Sequence, residues 1–192
     1  MSSDSYFQWT CDCESDWGGR TTGTQGILEG LPRILEVFRA NRIKALFFIS
    51  TEIALDNRGR IQDILDKGHE IGSHGHFHIR YKDSFRVEAD RQISERLLSI
   101  FRTGTFLYRA PRFYHQSEDS LYSYRNNHVS LLKQAWFGGR IPTYPIFYIH
   151  PFDIVRGTNP PNLFARILYK NPERVYELFT KLTKEYPGRK RL

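Results

Sequence analysis

Apolar residues along the chain fall into short continuous runs separated by amphipathic stretches. Ala45-Leu46-Phe47-Phe48-Ile49 and Ile146-Phe147-Tyr148-Ile149 are unbroken runs of strand length, the pattern of parallel strands covered on both faces. Tyr6 to Cys13, rich in aromatic and β-favouring residues, predicts another buried strand. Between Cys13 and Ala45, Ile27, Leu31, Ile34, Leu35 and Phe38 recur at helical spacing, so a helix is expected from about Gly26 to Asn41. The alternation continues with a short helix over 60–66, a strand over 70–72, a long amphipathic helix over 85–101 and a strand over 105–109 that stops at Pro111. A helix around 130–136 precedes the turn Gly138-Gly139, and 172–185 forms a closing helix with Pro172 as an early residue. Strand-helix alternation of this kind implies a parallel α/β sheet or barrel, in which reactive groups collect at the carboxyl ends of the strands.

Composition narrows the class. The chain is 192 residues long, 40% hydrophobic and 26% charged, which suits a single domain with a sizeable core. There is no internal repeat or linker, and 187–192 reads as a basic tail. The aromatic share of 15% is high, and core filling accounts for most of it. The net charge of +7 suits an anionic substrate or carrier. The chain has no basic-aromatic RNA motif and no recognition-helix pattern, so nucleic acid is not an expected partner. Cys11 and Cys13, the two cysteines, alternate on the first strand without partners for a disulfide framework, which points to a reducing compartment. Met1-Ser2-Ser3-Asp4-Ser5 lacks the basic start and apolar run of an export signal. No apolar stretch approaches the ~20 residues of a transmembrane segment. A cytoplasmic location is therefore expected.

Side chains capable of chemistry sit where the alternation places strand ends. Four of the seven histidines lie within Gly68-His69-Glu70-Ile71-Gly72-Ser73-His74-Gly75-His76-Phe77-His78. His74 and His78 stand four apart, so one turn can aim both imidazoles at one point, which is half of a divalent-metal site. Asp12 and Glu14, two apart on the first strand, leave it on the same face. Cys11 and Cys13 take the other face as small hydrophobes. Neighbouring carboxylates repel unless a cation or a shared proton lies between them. The strand over 105–109 delivers Arg109, able to pin a carboxylate, and the last apolar run delivers His150.

Taken in order, these motifs resemble those of the polysaccharide deacetylases, the NodB-type homology domain of carbohydrate esterase family 4. The likeness runs through Leu31-Pro32-Arg33-Ile34-Leu35, Ala45–Ile49, the histidine motif, Arg109-Ala110-Pro111 and Tyr148-Ile149-His150-Pro151. It implies a distorted, incomplete (β/α) barrel with a mostly parallel sheet, formed as a single catalytic domain over residues 1–192. It implies Asp12 as catalytic base, Glu14, His74 and His78 as ligands of a divalent metal, Arg109 as the group orienting the base, and His150 as general acid. Zinc is the default ion for such N/O ligands, and cobalt, nickel or iron suits the same donors. The implied activity is hydrolysis of the N-acetyl amide of an amino sugar. Because no export signal is seen, the expected substrate is an intracellular precursor of surface polysaccharide, nucleotide- or lipid-linked.

Four departures from the family pattern bear on activity. Gly75 stands where the histidine motif usually has Ser or Thr. Glu14 is one methylene longer than Asp, which leaves Asp16 as a competing ligand. The segment between Phe113 and Tyr148 is short. The Asp-and-Trp motif that buttresses the general acid has no clear counterpart, and Trp136 is its candidate. These departures keep open a relative that holds metal and sugar without turnover, as well as a hydrolase of another non-peptide C–N amide bond. His69 and His76 are expected to be loop residues outside the ligand set.

Overall fold

Five strands form one sheet in the computed structural model, which describes residues 7–18, 23–113, 127–158 and 160–188. They are β1 (Trp9–Cys13), β2 (Leu46–Ile49), β3 (Glu70–Ser73), β4 (His128–Ser130) and β5 (Ile146–Ile149), in the order β3-β2-β1-β5-β4. Every pairing is parallel, with Asp12 opposite Phe48, Phe48 opposite Gly72, and Thr10 opposite Tyr148. The sheet is open, as the incomplete-barrel expectation requires, and all five strands finish at one edge.

The covering helices are α1 (Leu31–Ala40), α2 (Thr51–Asp56), α3 (Arg58–Asp66), α4 (Ser84–Leu98), α5 (Leu131–Phe137), α6 (Leu163–Leu168) and α7 (Pro172–Glu185). A π-helical turn over Gly26–Gly30 leads into α1. In α1, Leu31, Ile34, Leu35 and Phe38 face the core, and in α7 Val175, Phe179 and Leu182 do, the stripes that helical spacing dictates. Trp9 on β1 is fully buried, stacked on Phe147 at 4.5 Å and met edge-on by Phe38 and Phe179. Its indole N–H donates to the Tyr186 carbonyl at 2.7 Å. Cys11 and Cys13 lie in the same cluster as free thiols.

Three short elements escape the sequence pattern: α2, α6 and the three-residue β4. Each is too short for a period to register. The expected strand over 105–109 is reduced to one bridge, Tyr108 with Ser73, flanked by bonds from Ser73 N–H to Leu107 O (2.7 Å) and Arg109 N–H to Ser73 O (2.9 Å). It meets β3 only at that strand's last residue, so no second rung can form. Most of the basic tail lies outside the described residues, as does 114–126. Among the described residues, no helix is long and apolar enough to cross a membrane.

His69, expected as a loop residue, precedes β3 with its ring in the core. It is 5% exposed, packs on Phe38 and Phe47, and its Nδ1 accepts the Ala45 N–H at 3.2 Å. Burial, with Lys44 and Lys67 nearby, lowers its pKa to about 4. The unfolded chain protonates near 6.5 and the folded one near 4, so stability is full above 6.5 and falls as pH drops between the two values. This group alone should remove about 3 kcal/mol between pH 7 and pH 4. Urea unfolding of the wild type and of His69→Asn, whose Oδ1 can take over the Ala45 bond, checks this. The variant should lose much less stability between pH 6.5 and 5, and equal losses would refute the assignment.

Candidate active site

At the carboxyl edge of the sheet the strand ends surround a cavity of about 580 Å³ lined by Asp12, Glu14, His74, His78, His128 and His150 among others. Asp12 leaves β1 on the face away from the helix-covered cysteines and is 2% exposed. Arg109 lies beneath it, fully buried, with Nη1 donating to Asp12 Oδ1 and, at 3.1 Å, to Thr10 Oγ1. The guanidinium also stacks over Phe48, 4.1 Å from the ring centre. Burial would raise the Asp12 pKa, but Arg109, with His74 and His150, outweighs it and holds the carboxyl below its ordinary value. The base expected from the sequence is thus an ionised carboxylate pinned at one oxygen.

Glu14, His74 and His78 converge, with ligand atoms all within 4.8 Å of one another. Glu14 Oε2 is 3.3 Å from His74 Nε2 and 2.5 Å from His78 Nε2. The tautomer of His74 follows from its other nitrogen. Nδ1 lies 2.8 Å from the Arg109 carbonyl oxygen, which can only accept. Nδ1 therefore carries a proton, so a neutral His74 presents Nε2 to Glu14 as an acceptor. Two acceptors facing each other in a buried site need a proton or a metal ion between them. Two imidazoles and one carboxylate fit a divalent ion with positions left open, the donor set of a catalytic centre. Burial alone would raise the Glu14 pKa, but His78, His74 and His150 hold it well below the usual carboxylate range.

Two glycines make room for this cluster. A Cβ at Gly18 would lie 3.0 Å from His78 Cε1 and 3.2 Å from Glu14 Oε1, and its φ of +67° is one that side chains rarely adopt. At Gly75, φ is +79° and a Cβ would overlap the Asp90 carboxylate. That carboxylate accepts the His76 N–H at 3.0 Å, while Thr51 Oγ1 meets His76 Nδ1 at 2.8 Å. Gly75 N–H donates to Ser73 Oγ at 3.3 Å. The brace of a Ser or Thr at position 75 is thus replaced by Ser73, Thr51 and Asp90, and His76 is tied down outside the ligand cluster.

Asp16 does not join the cluster. Its two oxygens accept the N–H groups of Gly26 (2.9 Å) and Gln25 (3.0 Å), capping the turn into α1. Trp136 is likewise not at the site. It sits on α5 with Arg174 stacked 5.0 Å over its ring, on the side facing α7. The buttress of His150 is Asp153, which sequence reading missed. Asp153 is 1% exposed, accepts the His150 backbone N–H at 2.8 Å, and lies 3.2 Å from His150 Nδ1. Tyr169 O–H donates to its other oxygen at 2.7 Å. The signal was legible as an acid three residues after His150, on a turn opened by Pro151. The tryptophan beside this assembly is Trp17, packed on Phe152 and Tyr169. His150 Nε2 faces inward, 3.8 Å from Glu14 Oε1. Burial would lower the His150 pKa, but Asp153, then Glu14 and Asp12, raise it to about 10.

Three non-glycine residues of the cavity wall, Trp17, His78 and Arg112, hold positive φ of 68°, 53° and 56°. Such backbone costs about 1 kcal/mol or more per residue and persists where the surroundings dictate it. Here it concentrates around the reactive groups.

Comparison with known proteins bears on the family and the fold. A family model described as polysaccharide deacetylase matches residues 23–120, a stretch that contains His74, His78 and Arg109. The peptidoglycan-N-acetylglucosamine deacetylase PgdA of Listeria monocytogenes is 29% identical over 76 residues, which cover 39% of this chain and 16% of that relative. Among solved structures, the peptidoglycan deacetylase PdaC of Bacillus subtilis superposes with a TM-score of 0.61 at 14% identity, covering 95% of this chain and 85% of that one. A family 4 carbohydrate esterase of Streptomyces lividans, in complex with acetate, gives 0.55 at 14% identity over 92% and 88%. A family 4 pseudoenzyme of Bacillus anthracis gives 0.58 at 17% identity over 92% and 60%. At these identities the superpositions speak to the fold. With the family model spanning just over half of its length, the chain belongs to the polysaccharide deacetylase family.

Proposed function

We propose that this protein is a metal-dependent de-N-acetylase of amino sugars. The observation that carries the reading is the convergence of Glu14, His74 and His78 in one cavity with a pinned carboxylate, Asp12, and a cationic imidazole, His150. Glu14, His74 and His78 would hold the ion, most fittingly Zn²⁺, with Co²⁺, Ni²⁺ or Fe²⁺ suiting the same donors. When bound, such an ion lowers the pKa of water and polarises an amide carbonyl. Asp12 accepts the proton of the attacking water, and Arg109 keeps the base's other lone pairs aimed into the cavity. His150, protonated at neutral pH, donates from Nε2 to the departing nitrogen, so the C–N bond breaks to release acetate and a free amine. Trp17, Phe152 and Tyr169 give the cavity an aromatic wall suited to a sugar face.

The buried free thiols Cys11 and Cys13, with sulfurs 3.8 Å apart, support a reducing compartment and with it a cytoplasmic, nucleotide- or lipid-linked precursor as substrate. The similarity to PgdA supports a cell-wall glycan instead, and the substrate panel decides between them. A relative that binds without turnover was suggested by Gly75 and by the short segment between Phe113 and Tyr148, and the bracing by Ser73, Thr51 and Asp90 answers the first of these.

The test is acetate release from a panel of N-acetylated sugars by protein loaded with each metal in turn, alongside metal analysis. One equivalent of metal and metal-dependent acetate release are expected. Chelation should abolish release, and Glu14→Gln should weaken metal retention at least tenfold. Retained metal with no acetate from any sugar would establish the non-catalytic relative.

A further inference from the structure

The cavity holds two charges that the proposed chemistry does not use. Arg112, on the 3-10 turn Pro111–Phe113, and Lys133, on α5, both line it and are both exposed. They reach it from separate elements, one after the Tyr108 bridge and the other after β4. Some cations elsewhere find carboxylates within their own helices, as Arg39 does with Glu36 and Lys181 with Glu185, and others such as Arg96 and Lys170 form no ion pair among the described residues, so what sets Arg112 and Lys133 apart is that they line the reactive cavity. Among the described residues, neither Arg112 nor Lys133 has a carboxylate partner. The acids that share the cavity are already engaged, Asp12 by Arg109 and Glu14 by the histidine pair. A neutral sugar offers two such cations only hydroxyl and amide oxygens, whereas an anionic group meets them with charge-assisted hydrogen bonds. Arg112 is also held at φ 56° and ψ 23°, a conformation that chain entropy alone would not choose.

We propose that Arg112 and Lys133 form an anion subsite at this cavity, which takes a carboxylate or phosphate group borne by the amino sugar or its neighbour. A guanidinium fork and an ammonium on opposite elements suit the several oxygens of such a group. The inference rests on the deacetylase reading for the sugar part of the ligand, and the subsite is tested by binding rather than turnover.

Metal-loaded protein is titrated calorimetrically with N-acetylglucosamine, N-acetylmuramic acid and UDP-N-acetylglucosamine, at low and at high salt. At low salt, at least one anionic sugar should bind about tenfold more tightly than the neutral one, the effect of two partly exposed charge contacts. High salt should erase most of that difference. Arg112→Gln and Lys133→Gln should each remove much of the preference and leave binding of N-acetylglucosamine within about twofold. A preference for N-acetylmuramic acid identifies a carboxylate, and one for the nucleotide sugar identifies phosphate. Equal affinity for all three sugars, no measurable binding of any anionic one, or variants that weaken the neutral sugar equally would overturn the subsite. Acetate release is followed in the same samples: preference without release refutes the deacetylase reading alone, and release without preference refutes the subsite alone.

Discussion

Asp12→Asn is expected to reduce the turnover number for acetate release by about a thousandfold, within the range for loss of a general base. The amide keeps the size of the carboxylate and its bond from Arg109, but it cannot take a proton from water. It also removes the carboxylate charge that the Arg109 guanidinium faces, in a place with no exposure at all. Breaking a buried pair by removing one partner costs about 3–5 kcal/mol, a large part of the total stability of a domain this size. Lost activity in the single variant could therefore reflect unfolding, and a companion variant separates the two. Asp12→Asn/Arg109→Met removes both charges and restores an apolar contact with Phe48, the kind of exchange that is often neutral for stability. The double variant should recover most of the melting temperature while remaining inactive. Metal content should stay at one equivalent in both, because Asp12 is not in the ligand cluster. Retention of more than a tenth of wild-type turnover by the single variant would remove Asp12 from the mechanism.

What could be read in the sequence followed the physics of each element. β2 and β5 announced themselves because both faces of a central parallel strand are covered, which forces a continuous apolar run. The helices α1 and α7 did so because their buried stripes span several turns. The placement of Asp12, Glu14, His74, His78, Arg109 and His150 around one cavity followed from strand ends sharing an edge. β4, α2 and α6 carry too few residues for periodicity. The single rung at Tyr108 depends on where β3 stops, which no local pattern around 105–109 records. Gly75 looked like a defect because its compensating contacts, from Asp90 on α4 and Thr51 on α2, arise only in three dimensions. Trp136 looked like a buttress only by composition. Asp153 was the opposite case, a local signal three residues from His150 that a search for a distant motif passed over.

That local partner makes Asp153→Asn the sharper test of the acid. In the wild type His150 is raised to about 10, chiefly by Asp153 against the opposing effect of burial. A general acid works only while protonated, so activity should persist on the alkaline side and fall as pH rises through the raised pKa. A cation on Glu14 offsets that residue's smaller share, so the limb in loaded enzyme should lie below 10 but well above the ordinary 6.5. The Asn amide oxygen can still accept the His150 backbone N–H, while its NH2 can donate to the Tyr169 hydroxyl oxygen once that O–H turns away, so the turn after β5 should largely hold its shape. What disappears is the negative charge, and the alkaline limb should drop to near 6.5–7. At pH 6 the variant should keep activity within about threefold of wild type, whereas at pH 8 it should lose about ten- to thirtyfold, since under about a tenth of the imidazole stays protonated. A merely structural role would depress activity equally at every pH and leave the limb in place. The displaced limb, with the His150 titration followed by NMR to the same midpoint, would identify Asp153 as the group that sets the acid's working range.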